Sequence, residues 1–145
     1  MGPCRILGVC FVVGGFKRYG EMKLSTLLLV FLGGGLGSAL RYLISIFIRP
    51  IGAGYPYATL TANLVGCFIL GLIVGFLSGK SSVSNVYFLF AVGFCGGLTT
   101  FSSFSLENMR FLESGQFFSF LSYTLLSFAL GLGFMYIGMW VNRLF

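Results

Sequence analysis

The chain has 145 residues, a net charge of +6, 57% hydrophobic residues and only 8% charged ones. A mean hydropathy of +0.99 excludes an ordinary soluble domain and places the chain among integral membrane proteins. A helical crossing takes about 20 apolar residues, so four crossings with short connections fill the chain and leave no room for a separate soluble domain.

In chain order, residues 1–21 contain "CRILGVCFVVGGF", with the basic start and apolar core of a signal peptide but no small-residue cleavage site after it. "MKLSTLLLVFLGGG" from Met22 is by itself a complete membrane-protein start. Residues 1–21 are therefore read as a dispensable or non-native extension, and 22–145 as one membrane domain. Hydropathy predicts spans at Leu24–Ile48, Tyr57–Leu77, Val83–Phe104 and Phe117–Leu144. The connectors are "RPIGAGYP" (Arg49 to Pro56), "SGKSS" (Ser78 to Ser82) and "LENMRFLESG" (Leu106 to Gly115), the last with the composition of a short interfacial helix.

With a start at Met22, Lys23, Lys80 and Arg143 fall on one side of the membrane, and Arg49 and Arg110 on the other. So small a bias permits insertion in both orientations, and opposite copies then pair about a two-fold axis in the membrane plane. Lys17 and Arg18 would tip this balance. Cys4, Cys10, Cys67 and Cys95 show no metal-ligand spacing; the two within spans read as small hydrophobes. Histidine and aspartate are absent, and Glu21, Glu107 and Glu113 fall outside the predicted spans. That pattern argues against an enzyme and against a proton-coupled pump.

Small residues recur at helical spacing in Gly33/Gly37, Ala62/Gly66, Gly71/Gly75 and Ala129/Gly133, a pattern that lets membrane helices pack closely. Packing does not explain Arg41, Asn63, Thr99, Thr100, Ser102, Ser103, Tyr123 and Ser127, which lie at membrane depth and need partners or a solvated cavity. Asn63 fits either an interhelical hydrogen bond or a pore wall. Arg41 fits either a snorkelling side chain or a fixed charge facing an anion vestibule. Tyr123 and Ser127, four apart, share a helix face.

The segment "GFCGGLTTFSSF" (Gly93 to Phe104) combines a diglycine with hydroxyls. Gly96 and Gly97 make a helix interruption cheap, and freed carbonyls are hard oxygen ligands suited to a small cation such as sodium. Phe101 and Phe104 place two rings on one helix face.

The blocks "GGGLGSALRY" (Gly33 to Tyr42), "TLTANLVGCFILG" (Thr59 to Gly71) and "GFCGGLTTFSSFSLE" (Gly93 to Glu107) closely resemble the CrcB/Fluc family of fluoride channels from Met22 onward. The resemblance implies an all-α protomer of four transmembrane helices, the third broken at mid-membrane, in an antiparallel dual-topology homodimer within the lipid of the cell membrane. It implies two fluoride pathways and a central structural Na+ held by the carbonyls of Gly96 and Thr99. It assigns Phe101 and Phe104 as the pore's aromatic pair, Asn63 as its amide, Ser103, Tyr123 and Ser127 as a polar track, and Arg41 as the vestibule arginine. Ser103 stands where threonine is common, Ser38 replaces a frequent alanine, and Gly131 lacks a hydroxyl that would extend the track. The expected function is passive fluoride export and fluoride resistance. A small dual-topology multidrug exporter is the rival; it needs a carboxylate within a span, and the predicted spans hold none. An assembly subunit without transport fits the glycines but not the row of polar residues.

Overall fold

A computed structural model describes residues 23–48, 54–78 and 85–143. The readings on residues 1–21, including Cys4 and Cys10, and on Arg49 and Lys80 lie outside them. The described chain is all-helical: α1 (Leu24–Ile48), α2 (Tyr57–Leu77), a π-helical segment (Tyr87–Cys95), one α turn α3 (Gly96–Leu98), α4 (Phe101–Glu113) and α5 (Phe117–Val141). The π segment, α3 and α4 make one crossing, so the described residues hold four helices long and apolar enough to span a membrane. The protein is a multi-pass membrane protein.

The first two spans end where hydropathy put them. The fourth stops at Val141, because Asn142 turns its amide back onto the carbonyls of Leu72 (2.8 Å) and Gly138 (3.2 Å). The third differs most. It reaches Glu113, so the expected interfacial helix is the second half of a crossing. Its first half is a π-helix, whose wider turn hydropathy does not register because hydropathy reports burial and not hydrogen-bond pitch.

Glycines fix which helices pair. A Cβ on Gly33 would strike the Leu89 carbonyl, and one on Gly37 the Phe94 carbonyl, so α1 lies backbone to backbone on the π segment. A Cβ on Gly71 would strike the Met135 carbonyl, and one on Gly138 the Phe68 carbonyl, which seats α2 on α5 in the same way. Residue numbers rise together from Gly33 to Gly37 against Leu89 to Phe94, and from Cys67 to Gly75 against Gly131 to Asn142, so the partners run parallel. Close packing therefore joins first to third and second to fourth crossings rather than neighbours in sequence. Ala129 and Gly133 take no part: Ala129 is exposed, and a Cβ on Gly133 would meet nothing within 4 Å.

Candidate functional site

The third crossing is interrupted at Thr99 and Thr100, whose backbones are extended (φ/ψ −77°/153° and −147°/113°). This is the midpoint of Tyr87–Glu113. The diglycine is not the break: Gly96 has helical angles (−63°/−36°) and Gly97 lies within α3. Glycine lowers the barrier to any backbone state, helix included, so it permits a break without placing one. Gly97 instead allows close approach, since its Cβ would strike the Gly34 carbonyl.

Side chains place the break by capturing backbone groups. In a continuous helix the Thr100 N–H would donate to the Gly96 carbonyl and the Ser103 N–H to the Thr99 carbonyl. Instead Thr100 N–H donates to Asn63 Oδ1 at 2.8 Å, and Ser103 N–H to Thr100 Oγ1 at 3.2 Å, which makes Thr100 the N-cap of α4. Asn63 Nδ2 completes the clasp by donating to the Thr100 carbonyl at 3.4 Å. A break at Thr99 and Thr100 takes the helical donors from the carbonyls of Gly96, Gly97, Leu98 and Thr99, and that of Gly97 accepts instead from Ser38 Oγ at 3.4 Å. Gly96 is exposed, with open space where a Cβ would be. The donor set, neutral hard oxygens on an accessible helix end, fits a small hard cation.

Beside the break lies an open cavity of about 400 Å³ whose wall includes Asn63, Thr99, Phe101, Phe104, Ser127 and Gly131. Phe101 and Phe104 have ring centroids 5.8 Å apart; Phe101 is 74% exposed while Phe104 is half-buried. Ser127 Oγ is buried with no hydrogen-bond partner among the described residues. A Cβ on Gly131 would meet only Cys67 Sγ, at 3.7 Å. Cys67 and Cys95 are free thiols within the helices.

The remaining expected residues sit around this cavity rather than in its wall. Ser103 Oγ takes a hydrogen bond from Thr100 Oγ1 at 3.1 Å. Tyr123 is fully buried, its ring 5.1 Å from that of Phe104. Arg41 lies one turn beyond Gly37 on α1, at the level of the break, half-buried and without an ion pair among the described residues.

Glu107 was read as lying outside the spans, and the structure corrects this. It belongs to the third crossing, and its carboxylate accepts from Thr59 Oγ1 (2.6 Å) and from Tyr123 Oη (2.7 Å), tying three crossings together. It lies eight residues past Thr99, about 12 Å along the axis, so it is near the end of the hydrocarbon layer. The absence of an intramembrane carboxylate therefore cannot be held against an exporter. One residue further along both helices is a second cross-helix bond, from Thr124 Oγ1 to buried Asn108 Oδ1 (3.0 Å). Thr59, Glu107 and Asn108 were missed because the third span was closed at Phe104. A polar residue every third or fourth position from Thr100 to Asn108, a stripe along one helix face, was the available signal.

Residues 28–139 match the family model described as CrcB-like protein, Camphor Resistance (CrcB). The chain belongs to the CrcB family. Among CrcB relatives, a protein of Leptospira interrogans is 42% identical over 83% of this chain and 96% of its own length. One of Phocaeicola vulgatus is 38% identical over 83% of this chain and all of its own length, and one of Serratia proteamaculans 47% over 73% and 84%. Each of the three is named fluoride-specific ion channel FluC. The channel names of these relatives, rather than the carboxylate argument, now weigh against the exporter reading.

Proposed function

We propose that this chain is a fluoride-selective channel for passive export of fluoride, working as an antiparallel dual-topology homodimer with two pathways. The observation that carries this reading is the cavity beside the break, in which the uncommitted Ser127 hydroxyl shares a wall with Asn63 and with the rings of Phe101 and Phe104. Fluoride is small and strongly hydrated, so donors must replace its water before it enters. Hydroxyl and amide donors together with the positive ring edges of Phe101 and Phe104 offer partial charges, which hold an anion without trapping it as a buried cation would. Asn63 spends one N–H on Thr100 and keeps its second for the ion. Ser103 and Tyr123 continue the track beyond Phe104, and Arg41, without an ion pair among the described residues, concentrates anions at its mouth.

A half-open cavity with Phe101 three-quarters exposed is half of a pathway, which supports closure by a second copy. The unused Ala129 and Gly133 face supports the same reading, being smooth and apolar where no helix among the described residues packs against Gly133. The carbonyls of Gly96 and Thr99 would hold Na+ between the copies, where it supplies positive charge against converging carbonyl dipoles. No coupling machinery is required, since an inside-negative potential drives an anion outward with about 2.3 kcal/mol per 100 mV.

The test is fluoride efflux from liposomes holding purified protein, read with a fluoride electrode and with chloride as the control. The expected result is fluoride flux far above that of empty liposomes and no chloride flux; absence of fluoride flux refutes the assignment. Replacing sodium by a larger cation during purification should lower both dimer content and flux, and indifference to the exchange refutes the cation site.

A further inference from the structure

Among the described residues two buried side-chain polar atoms lack a hydrogen-bond partner: Ser127 Oγ and Tyr55 Oη. A buried hydroxyl without a partner is destabilising, and in a native protein it marks a place where water or an ion completes the bonding. Ser127 has its explanation in the proposed pathway. Tyr55 does not.

Tyr55 occupies the turn that opens α2, between Gly54, whose φ of +101° makes the turn, and Pro56. It is therefore at the end of the bundle, where the second crossing begins. Its ring packs against the cluster of Leu60, Phe111 and Tyr123 that also receives Phe104. Tyr55 meets Tyr123 edge to face at 5.7 Å, and Tyr123 meets Phe104 at 5.1 Å, so the rings form a continuous line from the cavity to the turn. Along that line the Tyr123 hydroxyl is already given to Glu107. The Tyr55 hydroxyl is the uncommitted donor.

We propose that Tyr55 Oη is a further anion site, a terminal station where fluoride exchanges its last protein donor for water. This rests on the channel reading and extends its track past Tyr123 to the end of the bundle. The hydroxyl proton donates to fluoride. Fluoride carries no proton to share, so a donor bound within the chain would have to be released first, and Tyr55 needs no such release.

The test is Tyr55→Phe, which deletes one oxygen and keeps the ring. Fluoride efflux and thermal stability of the detergent-solubilised protein are measured side by side, with Tyr57→Phe, whose side chain is 47% exposed, as control. Flux should fall at least fivefold in Tyr55→Phe and stay within twofold in Tyr57→Phe. Stability should be unchanged or raised, because an unpartnered polar atom has been removed. Unchanged flux in Tyr55→Phe overturns the proposal while leaving the channel standing. Reduced flux with a matching loss of stability or of folded protein also overturns it, since that outcome assigns Tyr55 to packing. A wild-type protein that conducts no fluoride overturns the channel reading and this inference together.

Discussion

Asn63→Ala tests whether side chains, rather than the diglycine, hold the third crossing open. The substitution removes both bonds to the Thr100 backbone, one short at 2.8 Å and one long at 3.4 Å. Thr100 is buried, so water replaces neither bond well. A stranded buried group costs about 1–3 kcal/mol, and the longer bond lies at the weak end, for a total of about 2–4 kcal/mol. At a factor of ten per 1.4 kcal/mol, that shifts the balance between broken and continuous helix by roughly 30- to 700-fold. The Thr100 N–H then returns to the Gly96 carbonyl and the break narrows. Asn63→Asp separates the effects, because it keeps the acceptor for Thr100 N–H and adds a negative charge to the cavity wall. Thermal stability in detergent and fluoride efflux from liposomes are the assays. Asn63→Ala should be clearly less stable and lose most flux; Asn63→Asp should recover part of the stability and none of the flux. Wild-type stability in Asn63→Ala would refute the clasp, and wild-type flux in Asn63→Asp would refute the pore wall.

Phe101→Ile should lower fluoride flux at least tenfold with little change in stability, since the ring is 74% exposed and packs little within the chain; full flux refutes its place in the pathway. Gly97→Ala should sharply reduce the yield of monodisperse protein, because the new methyl meets the Gly34 backbone, whereas Gly131→Ala, with only Cys67 Sγ nearby at 3.7 Å, should express normally; equal yields refute the packing argument. Glu107→Gln replaces one acceptor oxygen by an N–H donor, so one of Thr59 and Tyr123 must switch its hydroxyl from donating to accepting, and the charge-assisted bonds are lost. The expected loss is about 1–2 kcal/mol, read by denaturant titration, and Thr59→Val should cost less in the Gln variant than in the wild type; strict additivity refutes the shared carboxylate.

Hydropathy and spacing determined the number of crossings, the limits of the first two and the identity of the polar residues needing partners, because these depend on local composition against a membrane of fixed thickness. Membership of Asn63, Phe101, Phe104 and Ser127 in one wall was legible only through resemblance, since nothing local says that α2, the third crossing and α5 converge. Tertiary structure alone decided three further matters. The break, expected over Gly96 to Thr99, is confined to Thr99 and Thr100, because a helix opens where its amides find other acceptors, and those acceptors are Asn63 from a different helix and the cap of Thr100. Glu107 entered the bundle because Thr59 and Tyr123, far apart in sequence, bring two hydroxyls to one carboxylate. Tyr55 acquired meaning only once its hydroxyl was enclosed. A residue's type fixes what bonds it can make, but which of them are made, and which is left open for an ion, is set by what the fold brings within about 3 Å.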